Sequence, residues 1–173
     1  MLIAETDRLT LSQISLQEDA FILELLNTPS WLQFIGDRGV KNLDDARNYL
    51  QNGPLASYER LGFGLYLVAL KDTKTPIGLC GLIKRDSLED VDLGFAFLPA
   101  YEGQGYGYEA ASAVMNHARN TLNLQRIVAI TLPDNQRSVR LLERLGLHFE
   151  KWVETNGESL KLFGTAGTAH RNG

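Results

Sequence analysis

Three glycines at alternate positions, Gly103, Gly105 and Gly107, punctuate the segment Leu98-Pro99-Ala100-Tyr101-Glu102-Gly103-Gln104-Gly105-Tyr106-Gly107-Tyr108-Glu109. Residues without a Cβ let the main chain turn sharply and leave its amides uncovered. An apolar strand pattern over residues 91–98 runs into the segment, and an amphipathic helical pattern runs out of it. Uncovered amides at the start of a helix, with the helix dipole behind them, attract an anion. Strand, glycine loop and helix in that order predict a phosphate cradle.

The elements that must position this loop follow from the spacing of apolar residues. Residues 8–14 alternate Leu9 and Leu11 with polar neighbours, which predicts a first strand. Residues 18–26 set Phe21, Ile22, Leu25 and Leu26 at helical spacing, with Asn27 and Pro29 ending the helix. Residues 43–58 form a second helical region that Gly53-Pro54 must break or kink. Residues 63–70 and 77–84 flank a polar turn and predict a hairpin, and residues 91–98 follow after a charged turn. The helix over residues 105–120 carries a stripe of Ala111, Val114, Met115, Ala118 and Leu122. A strand over 125–132 and a helix over 135–145, closed by Gly146, come next. Residues 149–154 and 158–163 form a hairpin around Asn156-Gly157. The strand–loop–helix–strand unit sets residues 91–98 and 125–132 side by side, parallel, with a right-handed crossover.

The chain's bulk properties limit what that architecture serves. Its 173 residues suit one domain spanning residues 1–173, with roughly the last 10 residues a disordered tail. A formal charge of −4 argues against a nucleic-acid partner and leaves a basic or amine-bearing substrate open. Cys80 is the only cysteine, so neither a disulfide framework nor a cysteine-based metal site is expected. His117, His148 and His170 lack any metal-binding spacing. No signal-peptide pattern opens the chain, and no apolar run is long enough to span a bilayer. The expected compartment is the cytoplasm, with no membrane partner.

Three loop chemistries compete for the glycine segment. A dinucleotide fingerprint needs a third glycine where Tyr108 stands, and it normally opens a fold rather than following two helical regions and three strands. A P-loop needs Gly-Lys-Ser/Thr, a tripeptide missing from the chain. The third fits: Glu102-Gly103-Gln104-Gly105-Tyr106-Gly107 resembles the pyrophosphate loop of the GNAT superfamily of acyl-CoA N-acyltransferases, Q/R-x-x-G-x-G/A. Glu102 departs from that pattern, and its side chain is expected to turn away while neighbouring amides bind. Asp92-Leu93-Gly94-Phe95-Ala96-Phe97-Leu98 before the loop and Glu109-Ala110 after it resemble the RimJ/RimL-like branch. So do Pro133-Asp134-Asn135-Gln136-Arg137-Ser138, Leu141-Leu142-Glu143-Arg144-Leu145-Gly146-Leu147 and the opening Glu5-Thr6-Asp7-Arg8-Leu9-Thr10-Leu11. Leu147 replaces the usual Phe.

The resemblance implies an α/β fold: a mixed, mostly antiparallel sheet of about seven strands, a central parallel pair that splays, and helices on both faces. It implies acetyl-CoA as co-substrate, no metal, and acetyl transfer to a primary amine by direct attack in a ternary complex. The amine would belong to a protein N-terminus or a small molecule. Main-chain groups of Gly103, Gln104, Gly105, Tyr106 and Gly107 would hold the pyrophosphate. Phe97 and Leu98 would pair with the pantetheine arm as an added strand does, while the Phe95 and Phe97 rings fill the core. Asn135 reads as a helix N-cap, to which the resemblance adds a pantetheine contact.

A leaving thiolate needs a donor nearby, and many of these enzymes use a Tyr where Leu142 stands here. Ser138 is the alternative donor, acting by hydrogen bonding rather than as a true acid. An amine arriving as ammonium needs a base, for which Asp90, Asp92 and Glu109 are candidates, Asp92 having the best position by resemblance, and a water chain would serve equally well. Cys80 reads as packing within an apolar strand, so no acyl-enzyme is expected. Acceptor specificity would come from residues 16–26 and 28–58 and from the C-terminal hairpin, with Trp31, Phe34 and Trp152 as walls. A non-catalytic acyl-CoA-binding or sensing module is the alternative. The acceptor, the acyl-chain preference and the choice between monomer and homodimer stay open.

Overall fold

Strand side chains alternate between two faces, so a sheet with apolar residues on both must be covered on both. In the computed structural model, which describes residues 1–155 and 157–165, that sheet has eight strands. They are β1 (Leu2–Glu5), β2 (Leu9–Gln13), β3 (Leu65–Leu70), β4 (Pro76–Ile83), β5 (Val91–Phe97), β6 (Ile127–Thr131), β7 (His148–Thr155) and β8 (Glu158–Gly164). Their order is β1-β2-β3-β4-β5-β6-β8-β7, and only β5 and β6 pair in parallel. Strand β1 takes the count beyond seven. It is a short edge strand without an alternating pattern of its own, held by pairing with β2.

Helix α5 (Tyr106–Asn120) covers one face, where Ala110, Ala111, Val114 and Met115 meet Tyr66, Val68, Cys80, Leu82 and Leu93. The other face carries α1 (Asp19–Leu25), α2 (Pro29–Phe34) and α3 (Leu43–Leu50), whose Ile22, Leu25, Trp31 and Leu50 pack with Leu79 of β4. Adjacent residues of β4 therefore serve opposite cores, as the period of two requires.

Three sequence expectations shift in detail. Pro29 opens a helix as well as following one: Thr28 is the N-cap of α2, and its side chain accepts from the Trp31 N–H. Gly53-Pro54 does not break the helical region. A single π-helical turn, Gln51–Leu55, joins α3 to α4 (Ala56–Leu61) with Pro54 buried inside it. The wider i→i+5 turn suits a residue that has no N–H to donate and whose ring crowds the preceding turn. Leu122 lies past the end of α5, yet still packs against the core under it. The C-terminal hairpin forms with Thr155 opposite Glu158. Asn156 of its turn and the tail beyond residue 165 lie outside the described residues. Among the described residues no helix is long and apolar enough to cross a membrane.

Candidate active site

Strands β5 and β6 touch at two positions only, Val91 opposite Ile127 and Asp92 opposite Val128. Beyond them β5 stays with β4 as far as Phe97, and β6 stays with β8 as far as Thr131. The pair splays, and a cavity of about 890 Å³ opens in the wedge. Its exposed backbone follows from the ladder. The Leu98 N–H donates to the Ile77 carbonyl at 2.9 Å, and in an antiparallel pair bonded residues alternate with unbonded ones. Phe97 and Phe95 therefore turn their N–H and C=O groups away from β4, toward the wedge. Leu98 differs from the expectation, because its carbonyl is also engaged, by the Tyr101 N–H at 2.9 Å. The start of the turn Pro99–Tyr101 takes the groups a strand residue would have offered. The Phe97 ring is buried in the α5-side core, with the Phe95 ring packed against it.

The loop ends on a bare helix start. Gly103 and Gly105 sit at φ 75° and 87°, a left-handed conformation that costs glycine least. Gly105 is the N-cap of α5 and provides no side-chain cap. The Glu109 N–H closes on the Gly105 carbonyl at 3.1 Å, which leaves the amides of Tyr106, Gly107 and Tyr108 ahead of the helical ladder. A Cβ on Gly107 would stand 3.3 Å from Leu141 Cδ2 and 3.7 Å from Phe97 Cε2, so this turn, β5 and the next helix meet tightly. Gln104 and Tyr106 offer main chain alone. The Gln104 side chain donates to the Ala100 carbonyl at 2.7 Å, and the Tyr106 ring lies under Arg8, 4.2 Å from its guanidinium carbon.

Glu102 does not turn from the cavity but lines it. Arg137 Nη1 donates to its Oε1 at 3.0 Å, so a cation from across the wedge answers the misplaced carboxylate. That attraction is the physical reason for the difference from expectation.

The three base candidates separate cleanly. Asp92 is 2 % exposed, lines the cavity, and accepts from Arg85 Nε at 2.5 Å. Burial pushes its carboxyl up to about 6 even with that guanidinium beside it. Asp90 binds Arg126 at 3.1 Å, and Arg126 also holds Glu150, which makes this a clamp between β5, β6 and β7. Glu109 faces the other way. Burial opposes its charge, but hydrogen bonds from Thr6 and from the Arg8 side chain and main chain prevail and hold it below the usual carboxylate range. It ties α5 to the chain ahead of β2.

On the opposite lip, Asn135 caps α6 (Gln136–Arg144) by accepting the Ser138 N–H at 3.3 Å, and both residues line the cavity. Ser138 is buried, and Leu142 lies one turn on. Arg137, Arg140 and Arg144 also line the cavity from α6, with Arg144 4.1 Å from the Tyr108 ring centroid. Sequence reasoning passed over this basic stripe, although i, i+3, i+7 spacing marks one helical face. Cys80 is fully buried, and burial pushes its thiol up, so it is no nucleophile.

The far end of the cavity is built from Trp31, Phe34, Arg38, Tyr49, Ile83 and Arg85. Trp31 and Phe34 are thus placed as walls, whereas Trp152 is half exposed on β7 beside Phe149 and away from the cavity. None of the described residues of the β7–β8 hairpin lines it. That hairpin pairs with the outer edge of β6, on the far side from the wedge. Among the described residues no group of three or more His, Cys, Asp and Glu is placed to hold a metal ion.

Comparison with known proteins agrees with this geometry. The family model described as the acetyltransferase (GNAT) domain matches residues 8–148. The Bacillus subtilis (strain 168) uncharacterized N-acetyltransferase YoaA is 28% identical over 149 residues, covering 86% of this chain and 84% of that protein. The Escherichia coli (strain K12) [ribosomal protein uS5]-alanine N-acetyltransferase is 31% identical over 105 residues, covering 59% of this chain and 54% of that one. Among solved structures, the acetyltransferase from Agrobacterium tumefaciens str. C58 superposes with a TM-score of 0.80 at 24% identity, over 93% of this chain and 92% of that one.

Proposed function

The chain belongs to the GNAT acetyltransferase family, and on that premise we propose that it moves an acetyl group from acetyl-CoA to a primary amine within one ternary complex. The observation that carries this reading is the splayed β5–β6 pair opening onto the uncapped start of α5. The RimJ/RimL-like branch is the finer placement. It is supported by the motifs around Asn135 and by the partial match to a ribosomal-protein alanine acetyltransferase. The unit of function is a single domain over residues 1–173.

The residues present fit the co-substrate. A diphosphate needs closely spaced donors without side-chain bulk, and residues 103–107 offer amides at two left-handed glycines and a helix start. An extended, amide-bearing arm needs a free strand edge, which Phe95 and Phe97 offer. Acetyl-CoA supplies the acetyl thioester. Asp92, ionised above about pH 6, takes a proton from the attacking ammonium. The amine nitrogen then bonds to the acetyl carbon as the carbon–sulfur bond breaks; the second nitrogen proton passes to the departing thiolate, to which the Ser138 hydroxyl donates a hydrogen bond. A β5 main-chain N–H aimed at the carbonyl oxygen contributes about 3 kcal/mol of transition-state stabilisation. Asn135 steadies the arm through its side-chain amide.

Amide exchange with and without CoA tests this, paired with thiol release from acetyl-CoA over a panel of amines. Protection concentrated at residues 103–107 together with amine-dependent thiol release is the expected result. Protection elsewhere overturns the site. Protection at the loop with no amine accepted favours a non-catalytic acyl-CoA-sensing module.

A further inference from the structure

The cavity is lined by five arginines, Arg38, Arg85, Arg137, Arg140 and Arg144, against two carboxylates, Asp92 and Glu102. This in a chain of net charge −4 is a local reversal of sign. The two carboxylates pair with Arg85 and Arg137, and Arg140 and Arg144 stand on α6 at the loop end. Arg38 stands apart. It belongs to the far end, near Tyr49 and Arg85, and makes no ion pair or hydrogen bond among the described residues. Arg38, Tyr49 and Arg85 line the cavity together; burial raises the Tyr49 hydroxyl while the charges of Arg38 and Arg85 pull against it. Asp45 shares an adjoining groove with Arg38 and Tyr49, but it accepts from the Lys41 main-chain N–H at 3.0 Å and does not pair with Arg38.

An unpaired guanidinium beside a phenol donor is a receptor for an anion. Trp31, Phe34 and Ile35 line the same cavity and suit a short apolar body. We propose that the acceptor is an amine that itself carries an anionic group, its anion at Arg38 beside Tyr49 and Arg85 and its amine directed to Asp92. A polyamine would instead set a second ammonium among guanidiniums, a like-charge contact that disfavours it. This assignment rests on the acetyl-transfer reading. The anion is a carboxylate or phosphate of a small amine, or the acidic side chain next to a peptide N-terminus, which the same chemistry would recognise.

The test measures kcat/KM for thiol release with matched acceptors. Short ω-amino carboxylates are each set against their carboxamide and their diamine. O-phosphoethanolamine is set against ethanolamine, and a short peptide with Asp at its second position against the Asn version. In at least one arm the anionic member should exceed its neutral partner by about tenfold, and the arm that responds names the source. Arg38→Gln should collapse that ratio toward unity, Arg38→Lys should keep part of it, and Arg38→Glu should turn the preference toward the diamine. CoA affinity, read separately, reports that each variant is folded. Turnover that favours neutral amines or diamines, or a preference that survives Arg38→Gln, overturns this inference and leaves acetyl transfer standing. No turnover with any amine overturns both.

Discussion

The two ends of the wedge are made of different material. At the loop end, donors are main-chain amides from one short contiguous stretch, set by two positive φ angles and an uncapped helix start. At the far end, the polar groups are side chains gathered from the segment after α2, from α3 and from the turn between β4 and β5. A main-chain grip tolerates changes of side chain as long as no Cβ fills it. The loop accordingly keeps its geometry with Glu102 in the Gln/Arg place. A side-chain cluster has no such tolerance: Asp92 depends on Arg85, and each far-end group answers to its neighbours. The same fold can thus keep one donor molecule and exchange acceptors.

Asp92→Asn breaks the side-chain end most severely. With the proposed base removed, kcat should fall by about 10³-fold, while CoA affinity, measured by calorimetry, stays within a few-fold because the loop is untouched. The pH profile separates a base from a structural residue. Below about 6 the Asp92 carboxyl holds its proton and cannot accept another; above it the carboxylate is free. Native kcat/KM should therefore carry a rising limb near pH 6 that Asp92→Asn lacks. Stability runs the opposite way. A raised carboxyl contributes to folding fully below its ordinary value of 3.8 and loses that contribution as pH rises through about 6. Denaturant midpoints of native and variant protein should follow that sign.

Gly107→Val breaks the main-chain end. Gly107 lacks a positive φ, so the effect is one of space rather than backbone strain. The added methyls press on Leu141 and Phe97, which should displace the helix start that presents the amides. Losing two charge-assisted hydrogen bonds at about 1.5 kcal/mol each should weaken CoA binding by roughly 10²-fold. The KM for the amine should change far less. If the CoA dissociation constant and the amine KM rise together, the two ends are coupled and the comparison fails.

What was legible in the sequence follows the same division. The sheet, the α5 stripe, the parallel pair and the glycine turn rest on local periodicity and on residues without side chains, whereas the splay of that pair was implied by the family resemblance. Alternation over Leu9 and Leu11 and the spacing of Ala111, Val114 and Met115 report burial directly. The far end was not legible, because proximity of Arg38, Tyr49 and Arg85 is a product of tertiary folding between positions with no shared period. The Arg137, Arg140 and Arg144 face was within reach of helical spacing, but long basic side chains on a helix usually face water. Gly53-Pro54 was read by propensity alone, whereas a π turn lets the chain stay helical around Pro54. Leu98 misled for a similar reason: resemblance placed it on the strand edge, and the turn at Pro99–Tyr101 had already taken its carbonyl.

The smallest effect sharpens the comparison most. Among the described residues that line the cavity, Glu102 is the one acidic side chain at the main-chain end, 26% exposed and bound to an Arg137 that is 63% exposed. Such a pair adds at most about 1 kcal/mol to stability, so Glu102→Gln should leave the thermal midpoint almost unchanged. Removing a negative charge beside a bound diphosphate should instead tighten CoA about fivefold at low salt. Because ions screen exposed charges, the gain should shrink as ionic strength rises. Arg137 would be released by the same change, free to turn toward phosphate, so Arg137→Gln in the Glu102→Gln background should erase part of the gain. If Glu102→Gln weakens CoA binding, the carboxylate has been holding Arg137 in its working position, and the loop end relies on side chains after all.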